Sequence, residues 1–189
     1  MTTSHFPPLT PDSAPSAARP MLVGSQNQFG FVPSPVAKAA ASPVMLKHLL
    51  AGFAAFDRSS LSAIEREVVA MTVAFEHGCG YCMAMHSAQL ANTDAAHLLA
   101  SLRAGTPLSD TRLEALRLFT RAVLRTRARV DLDTWSRFQA AGYTEQSALD
   151  VTLGVGVYVL STFVNILTES ELDPPFIPYA WSPEAQGDV

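Results

Sequence analysis

The fold is decided by residues 62–86, which read SAIEREVVAMTVAFEHGCGYCMAMH. Ser62 followed by Glu65 is a capping-box pattern, in which each side chain bonds a free backbone N–H at the start of a helix. The apolar residues that follow at steps of three and four are Ile64, Val68, Met71 and Phe75. Because glycine breaks a helical pattern, the segment predicts one helix that ends at Gly78 and a second that begins near Cys79.

Apolar residues at helical spacing recur through most of the remaining sequence. Besides the helix after Ser62, the predicted helices cover residues 35–41, 44–55, 79–91, 94–104, 110–125, 131–142 and 144–170. No run alternates apolar and polar residues between Asn-Gly or Asp-Gly turns, as the strands of hairpins do. We therefore expect an all-α fold, a single-domain helical bundle of about six to eight helices.

The two ends of the chain differ from the middle in their proline content. Residues 1–20 hold five prolines and no apolar stretch long enough for a secretory signal, so we expect a disordered leader before a helical domain over 21–172. Residues 173–189 hold four prolines, which predicts an extended C-terminal arm. Its large apolar residues, which a second copy of the chain could bury, are Phe176, Ile177, Tyr179 and Trp181.

The composition narrows the classes of function. With 189 residues, of which 48% are hydrophobic and 16% charged, the chain is typical of one globular core. The net charge of −4 argues against a broad surface for nucleic acid or an anionic membrane. Residues 151–167 are the most apolar stretch, but they are fewer than the ~20 of a spanning helix and predict a buried core helix. We expect a cytoplasmic protein with no nucleic-acid and no membrane partner.

Four residues are candidates for a catalytic site. Cys79 and Cys82 are the only cysteines, and His86 follows one helical turn after Cys82. Glu67, at the edge of the preceding apolar stripe, points its carboxylate towards the core, where it needs a partner. A thiol near a helix start is favoured as thiolate, a histidine on the same face can take its proton, and a carboxylate can orient the ring. The pattern indicates nucleophilic catalysis by a thiol.

Other interpretations of these residues are open at this point. Zinc could be held by the two thiols, the imidazole and the carboxylate, but structural zinc sites usually add a second close pair of Cys or His ligands, which the sequence lacks. The cysteines could also be unreactive packing residues. A thioredoxin-like domain uses the same motif but needs strands. We expect no metal and no cofactor.

Residues 65–86 resemble the active-site motif of the alkylhydroperoxidase D-like branch of the carboxymuconolactone decarboxylase family. The resemblance extends, with less specific motifs, over most of the chain from about Met21, and is towards the family's peroxidase-related members. It implies an all-helical fold, a homo-oligomer of two, three or six chains, and thiol peroxidase activity. By position, Cys82 matches the cysteine that attacks peroxide, Cys79 the resolving cysteine, and His86 with Glu67 the proton relay.

One position departs from the family pattern. The best-studied members carry a second histidine immediately before the second cysteine, where this sequence carries Tyr81. A phenol with a pKa near 10 is no base at neutral pH, although it can donate a hydrogen bond to a thiolate or a bound peroxide. Tyr81 is therefore a candidate supporting residue in a proton relay that has one histidine fewer than the family pattern.

These observations together predict a peroxidase-related oxidoreductase. It reduces a hydroperoxide through a Cys79–Cys82 disulfide and is reset by a dithiol reductant. Two alternatives remain: a redox-responsive interaction module or carrier without efficient turnover, and a lactone decarboxylase-type member of the family. The second is less favoured because true decarboxylases usually lack the cysteine pair.

Overall fold

The structure, a computed structural model, describes residues 5–183, and over this range the chain is helical with no strand. The α-helices are α1 (Arg19–Phe29), α2 (Ser34–Ala39), α3 (Pro43–Phe56), α4 (Ala63–Glu76), α5 (Gly80–Ala91), α6 (Leu99–Ala104), α7 (Thr111–Thr126), α8 (Leu132–Ala140) and α9 (Glu145–Leu167). Two 3₁₀ helices cover Ala96–Leu98 and Pro174–Tyr179. The all-α class is confirmed, with nine α-helices in the described range where six to eight were expected.

Helix α4 lies at the centre of the bundle and packs against α5, α7 and α9. It begins where the sequence predicts, because both bonds of the capping box form: the Ser62 N–H donates to Glu65 Oε2 at 2.8 Å, and the Glu65 N–H to Ser62 Oγ at 3.3 Å. Gly78 follows its end with a φ of +66°, a conformation that costs glycine little. The chain can therefore turn at once into α5, which sets the two site-bearing helices side by side.

Helix α9 is the long apolar helix expected from the sequence. Gly154 brings it close to α3, because a Cβ there would lie 2.5 Å from the Phe56 ring. By length and composition alone α9 could cross a membrane, and 44% of its most apolar window is buried inside the protein. The core helix of a globular protein passes the same test, and α9 packs against α3 and α4 in this way.

The leader differs from the expected disorder over the part that the structure describes. Residues 5–18 form turns, Ala14 and Ala18 are buried beside Leu22 and Leu46, and α1 begins at Arg19. Its prolines suit this structure, because proline is accepted in turns and in the first turn of a helix. Residues 1–4 of the predicted leader lie outside the described residues.

The C-terminal arm also differs from the expected extended strip. Its residues Pro174–Tyr179 form a 3₁₀ helix, and Phe176 is buried against the rings of Tyr81 and Phe31. Proline blocks an α-helix but does not prevent a short 3₁₀ turn, whose side chains can pack. Residues 184–189 of the arm lie outside the described residues.

One arginine holds the described part of the arm against the helical domain. The Arg103 guanidinium donates to the carbonyl oxygens of Tyr179 and Ala180, each at 2.9 Å. In return, Trp181 Nε1 donates to the carbonyl oxygen of Arg103 at 2.9 Å. The aromatic residues of the arm are therefore largely covered by their own chain, with Ile177 left 57% exposed.

Candidate active site

The structure brings the predicted histidine and glutamate into direct contact. His86 on α5 lies 2.8 Å from Glu67 on α4, measured from Nδ1 to Oε2. Since a carboxylate accepts hydrogen bonds, Nδ1 carries the hydrogen, and Nε2 is the nitrogen left to take up a proton. Nε2 is buried, and no side chain or backbone group of the described residues bonds it. The ring is fixed further by Tyr158, which packs edge-on at 5.1 Å between ring centroids.

The two cysteines are reduced, buried and adjacent, with their sulfur atoms 2.7 Å apart. Cys79 is the N-cap of α5, so its Sγ accepts the backbone N–H of Cys82 at 3.3 Å. Because a disulfide bond is about 2.05 Å long, little movement is needed to join the two sulfurs. The pair is arranged for reversible disulfide chemistry.

The two thiols differ in acidity. The pKa of Cys79 is lowered to about 7 because the Cys82 thiol and the Cys82 backbone N–H both donate to its sulfur, against the opposing effect of burial. The pKa of Cys82 is raised well above its ordinary value by the hydrogen bond to Cys79, by burial and by the neighbouring negative charge. A single proton on this pair therefore belongs to Cys82, and the charge belongs to Cys79.

Two polar residues of α9 contact the dithiol and were missed by the sequence analysis. Asn165 donates from Nδ2 to Cys82 Sγ at 3.2 Å and approaches Cys79 Sγ at 3.9 Å. Thr162 Oγ1 lies 3.6 Å from Cys82 Sγ. Both residues lie in the apolar stretch that predicts a core helix, and their spacing of three on that helix places them on one face. That spacing was the available signal.

The structure gives Tyr81 another partner than the one expected. Its O–H donates to Asp173 Oδ2 at 2.6 Å, and the same carboxylate accepts the Ser34 N–H at 3.1 Å. Burial and the Asp173 carboxylate raise the pKa of Tyr81 above its ordinary value. The phenol hydrogen is therefore not directed at a sulfur, and Tyr81 instead ties the start of α5 to the arm and to α2.

A cavity of about 570 Å³ opens beside these groups, within the range of small-molecule sites. Its polar end is formed by Glu67, Cys82, His86 and Asn165. The large apolar residues that line the remainder are Met21, Phe29, Leu46, Leu49, Leu50 and Phe53. They come from α1 and α3, and α1 lies in a part of the chain for which the sequence predicted no helix.

The geometry gives the zinc interpretation no support. Within the described residues, no group of three or more His, Cys, Asp and Glu side chains is placed to hold a metal ion. The His86 nitrogen nearest Glu67 is already engaged by a hydrogen bond at 2.8 Å. What the arrangement does provide is an imidazole and a thiol, His86 and Cys82, on the wall of one cavity.

A known protein family matches the segment of the chain that carries the candidate site. Residues 45–106 match the carboxymuconolactone decarboxylase family model, and this segment contains both cysteines, the histidine and the glutamate. The resemblance stated from the motif is therefore confirmed, and the chain has the helical fold of the alkylhydroperoxidase D-like class. Among proteins with curated descriptions, none matches this sequence.

Solved structures share the fold over nearly the whole chain. A peroxidase-related protein from Ralstonia eutropha JMP134, described as an alkylhydroperoxidase AhpD core, is 20% identical with a TM-score of 0.79, covering 93% of this chain and 95% of its own. A peroxidase-related protein from Silicibacter sp. TM1040 is 23% identical with a TM-score of 0.76, covering 93% and 97%.

The same fold also occurs in a protein with a different named activity. The debrominase Bmp8 is 16% identical with a TM-score of 0.77, covering 95% of this chain and 97% of its own. A variant of that debrominase has been solved in complex with 2,3,4-tribromopyrrole, and it superimposes with a TM-score of 0.75. At these identities the likeness shows the fold alone.

Proposed function

We propose that this protein is a thiol-dependent peroxidase that reduces an organic hydroperoxide. The observation that carries the proposal is one shared cavity wall: Cys82 and His86 both line it, with Glu67 bonded to His86. Cys79 lies behind Cys82, 2.7 Å from its sulfur. The candidate nucleophile and base thus share one cavity wall, the orienting carboxylate is bonded to the base, and the second thiol is next to the nucleophile.

The first half of the reaction takes place at Cys82. His86 Nε2 accepts the Cys82 thiol proton, and the thiolate attacks one oxygen of the hydroperoxide. The O–O bond breaks, the leaving alkoxide takes the proton from the imidazolium, and the alcohol departs. Cys82 becomes a sulfenic acid after a two-electron oxidation. Glu67 stabilises the imidazolium through the bond to Nδ1.

The second half of the reaction uses Cys79. Its sulfur holds the charge in the reduced pair, so it is a ready nucleophile for the sulfenic sulfur beside it. Attack forms the disulfide, breaks the S–O bond and releases hydroxide, which leaves as water after protonation. An external dithiol then returns both cysteines to thiols.

The cavity favours an organic hydroperoxide over hydrogen peroxide. Its volume of about 570 Å³ far exceeds that of a two-oxygen molecule, and most of its wall is apolar. A substrate with a hydrocarbon or aromatic body would bury that body against Leu50 and Phe53 while its O–O group reaches Cys82.

The decisive experiment measures hydroperoxide consumption with dithiothreitol as the reductant. We expect turnover of cumene hydroperoxide by the wild type and none by Cys82→Ser. Cys79→Ser is the matched control: with dithiothreitol left out, it should consume about one equivalent of hydroperoxide and stop at the sulfenic acid. Turnover by Cys82→Ser would contradict the proposal, and oxidation of the wild type without turnover would favour a redox-responsive interaction module.

A second candidate is reductive dehalogenation of a small aromatic compound. The fold shared with a debrominase and the large apolar cavity beside a dithiol support it. The balanced reaction converts the dithiol and an aryl bromide into the disulfide, the hydrogen-substituted arene, bromide and a proton. Bromide release from 2,3,4-tribromopyrrole in the presence of dithiothreitol, measured by ion chromatography, distinguishes this activity from peroxide reduction.

A homo-oligomer remains part of the proposal, although the arm does not offer the contact expected of it. The support comes from exposed apolar residues on one face of α9, which are Leu149, Leu153, Phe163 and Leu167. A contiguous apolar face marks an interaction site, and a second copy of the chain is the partner that the family resemblance implies. Light scattering should show a lower mass for Phe163→Glu and an unchanged mass for a chain ending at residue 172.

A further inference from the structure

A second cavity, of about 310 Å³, lies on the other side of the dithiol. Its wall includes Cys79 and not Cys82, whereas the wall of the large cavity includes Cys82 and not Cys79. Tyr81 and Asn165 belong to both walls, so they form the partition between the cavities. The two sulfurs are in contact with each other, yet each is reached from a different side.

The second cavity is a built feature and not a gap in loose packing. The arm closes one side, where the Trp181 carbonyl oxygen lies so near Gly80 that a Cβ there would be 2.8 Å away. The segment after α9, which includes the lining residue Glu169, is held by Lys38 Nζ, which donates to the carbonyl oxygens of Thr168 at 2.8 Å and Glu169 at 2.6 Å. Both walls are fixed by hydrogen bonds or by close backbone contact.

A buried polar atom on the partition lacks a hydrogen-bond partner within the described residues. Asn165 is 5% exposed, and its Nδ2 bonds Cys82 while its Oδ1 finds no partner among the described residues. An unpaired buried acceptor is costly unless a donor reaches it. A thiol S–H entering towards Cys79 can supply that donor.

We propose that the second cavity admits a small dithiol reductant, which attacks Cys79 while the substrate uses the large cavity beside Cys82. The inference rests on the disulfide of the proposed function, and it does not depend on which oxidant forms that disulfide. The volume of about 310 Å³ suits a small molecule or a narrow dithiol group and excludes a folded domain from the cavity itself.

Reduction of the disulfide at Cys79 takes two successive thiol–disulfide exchanges. The first thiol of the reductant releases its proton to solvent and its thiolate bonds Cys79 Sγ, the Cys79–Cys82 bond breaks, and Cys82 leaves as a thiolate that takes up a proton from solvent. The second thiol of the reductant then attacks the reductant's first sulfur, which is bonded to Cys79 in the mixed disulfide. Cys79 leaves as thiolate, and the reductant departs as a cyclic disulfide. A pKa of about 7 makes Cys79 a good leaving group for this last step.

The first test maps the sulfur that is attacked, and it needs no peroxidase activity. The protein is oxidised with diamide, mixed briefly with 2-mercaptoethanol, quenched with acid and digested for mass spectrometry. We expect the mercaptoethanol adduct on Cys79. An adduct mainly on Cys82 would overturn the proposal, whatever the hydroperoxide assay shows.

The second test narrows each cavity separately. Ser170→Trp adds a large side chain to the second cavity, and Leu50→Trp is the matched variant in the large cavity. We expect Ser170→Trp to slow reduction of the disulfide by dithiothreitol about tenfold or more, and Leu50→Trp to slow oxidation by cumene hydroperoxide to a similar degree. With both variants folded by circular dichroism, an unchanged reduction rate in Ser170→Trp would overturn the proposal.

If the wild type shows no hydroperoxide turnover, the reduction measurement on the diamide-oxidised protein still stands. A slow reduction in Ser170→Trp together with an inactive wild type would therefore reject the proposed function and keep the two-sided access. A normal rate of disulfide reduction in Ser170→Trp together with an active wild type would reject the two-sided access and keep the proposed function.

Discussion

Glu65 and Glu67 lie two residues apart on α4, but their carboxylates have different surroundings and different roles. Glu65 is 7% exposed, and its carboxylate accepts bonds from the Ser62 N–H at 2.8 Å, Arg112 Nη2 at 3.0 Å and the Tyr143 O–H at 2.8 Å. Glu67 accepts one bond, from His86, and lines the large cavity. The first carboxylate is fully engaged, whereas the second supports a ring whose other nitrogen has no partner within residues 5–183.

The difference shows how one helix can carry a structural and a functional carboxylate. Burial alone would raise the pKa of Glu65, but the bonds from the Ser62 backbone, Tyr143 and Arg112 lower it below its ordinary value. A buried carboxylate with this many donors stabilises the folded state. A carboxylate with one titratable partner at a cavity wall is placed to assist proton transfer.

The largest effect is expected at Glu67. Glu67→Gln removes the counter-charge of the His86 imidazolium, so oxidation of Cys82 by cumene hydroperoxide should slow about 10²–10⁴-fold. The measurement is stopped-flow oxidation of the reduced protein at neutral pH. Urea unfolding should change little, because this carboxylate is partly exposed. A normal oxidation rate in a folded Glu67→Gln protein would make Glu67 a purely structural residue.

The matched change at Glu65 should reverse this outcome. Glu65→Gln weakens the bonds from Arg112 and Tyr143, which should lower the free energy of unfolding by about 1–3 kcal/mol. The rate of Cys82 oxidation should stay close to that of the wild type, since this carboxylate lies away from the cavity. Urea unfolding measures the loss of stability, and the same stopped-flow assay measures the oxidation rate. A large loss of rate with unchanged stability would contradict the structural role of Glu65.

A smaller effect is expected from the tyrosine that serves Glu65. Tyr143→Phe deletes the O–H donor at 2.8 Å and keeps the ring stacked on Phe138 and beneath Arg112. The expected loss is about 0.5–1.5 kcal/mol of unfolding free energy. In a double-mutant cycle with Glu65→Gln the two losses should not add, because they remove the same bond. Full additivity would show that the hydroxyl stabilises the protein through another group.

The pH dependence of stability should also separate the two carboxylates. Because the folded-state pKa of Glu65 is lowered, its contribution is fully present above the unfolded value of about 4.3 and is lost as the pH falls through the folded pKa. The stability gap between wild type and Glu65→Gln should therefore narrow as the pH is lowered from 7 towards 3. The exposed residue Glu171, changed to Gln, is the control. A gap that widens on acidification would contradict the assignment.

The sequence was sufficient for the elements and pairings that depend on short spacings. The helix after Ser62, the turn at Gly78 and the dithiol at the start of the next helix are as predicted, because capping and periodicity act within a few residues. The contact of His86 with Glu67 also follows from two neighbouring helices joined by a tight turn.

What the sequence could not supply depends on contacts between distant segments. Asn165 reaches Cys82 across 83 positions, and Asp173 reaches Tyr81 across 92. The side from which each sulfur is approached depends on Cys79 being the N-cap, which is a matter of one residue at a helix boundary. Proline content suggested a disordered leader and an extended C-terminal arm, although proline also suits the turns and the 3₁₀ helix found there.

Because the arm follows the dithiol in the sequence, the two cysteines are synthesised before the residues that cover Cys79. A chain leaves the ribosome with its N-terminal residues first, so α5 and its dithiol emerge before residues 173–183. Until Trp181 reaches Gly80 and Arg103 engages the arm, Cys79 lacks its cover and meets any thiol or oxidant in solution. Selectivity between reaction partners is therefore acquired only once residues 173–183 have been added, and a chain terminated at residue 172 retains both thiols but lacks this selectivity.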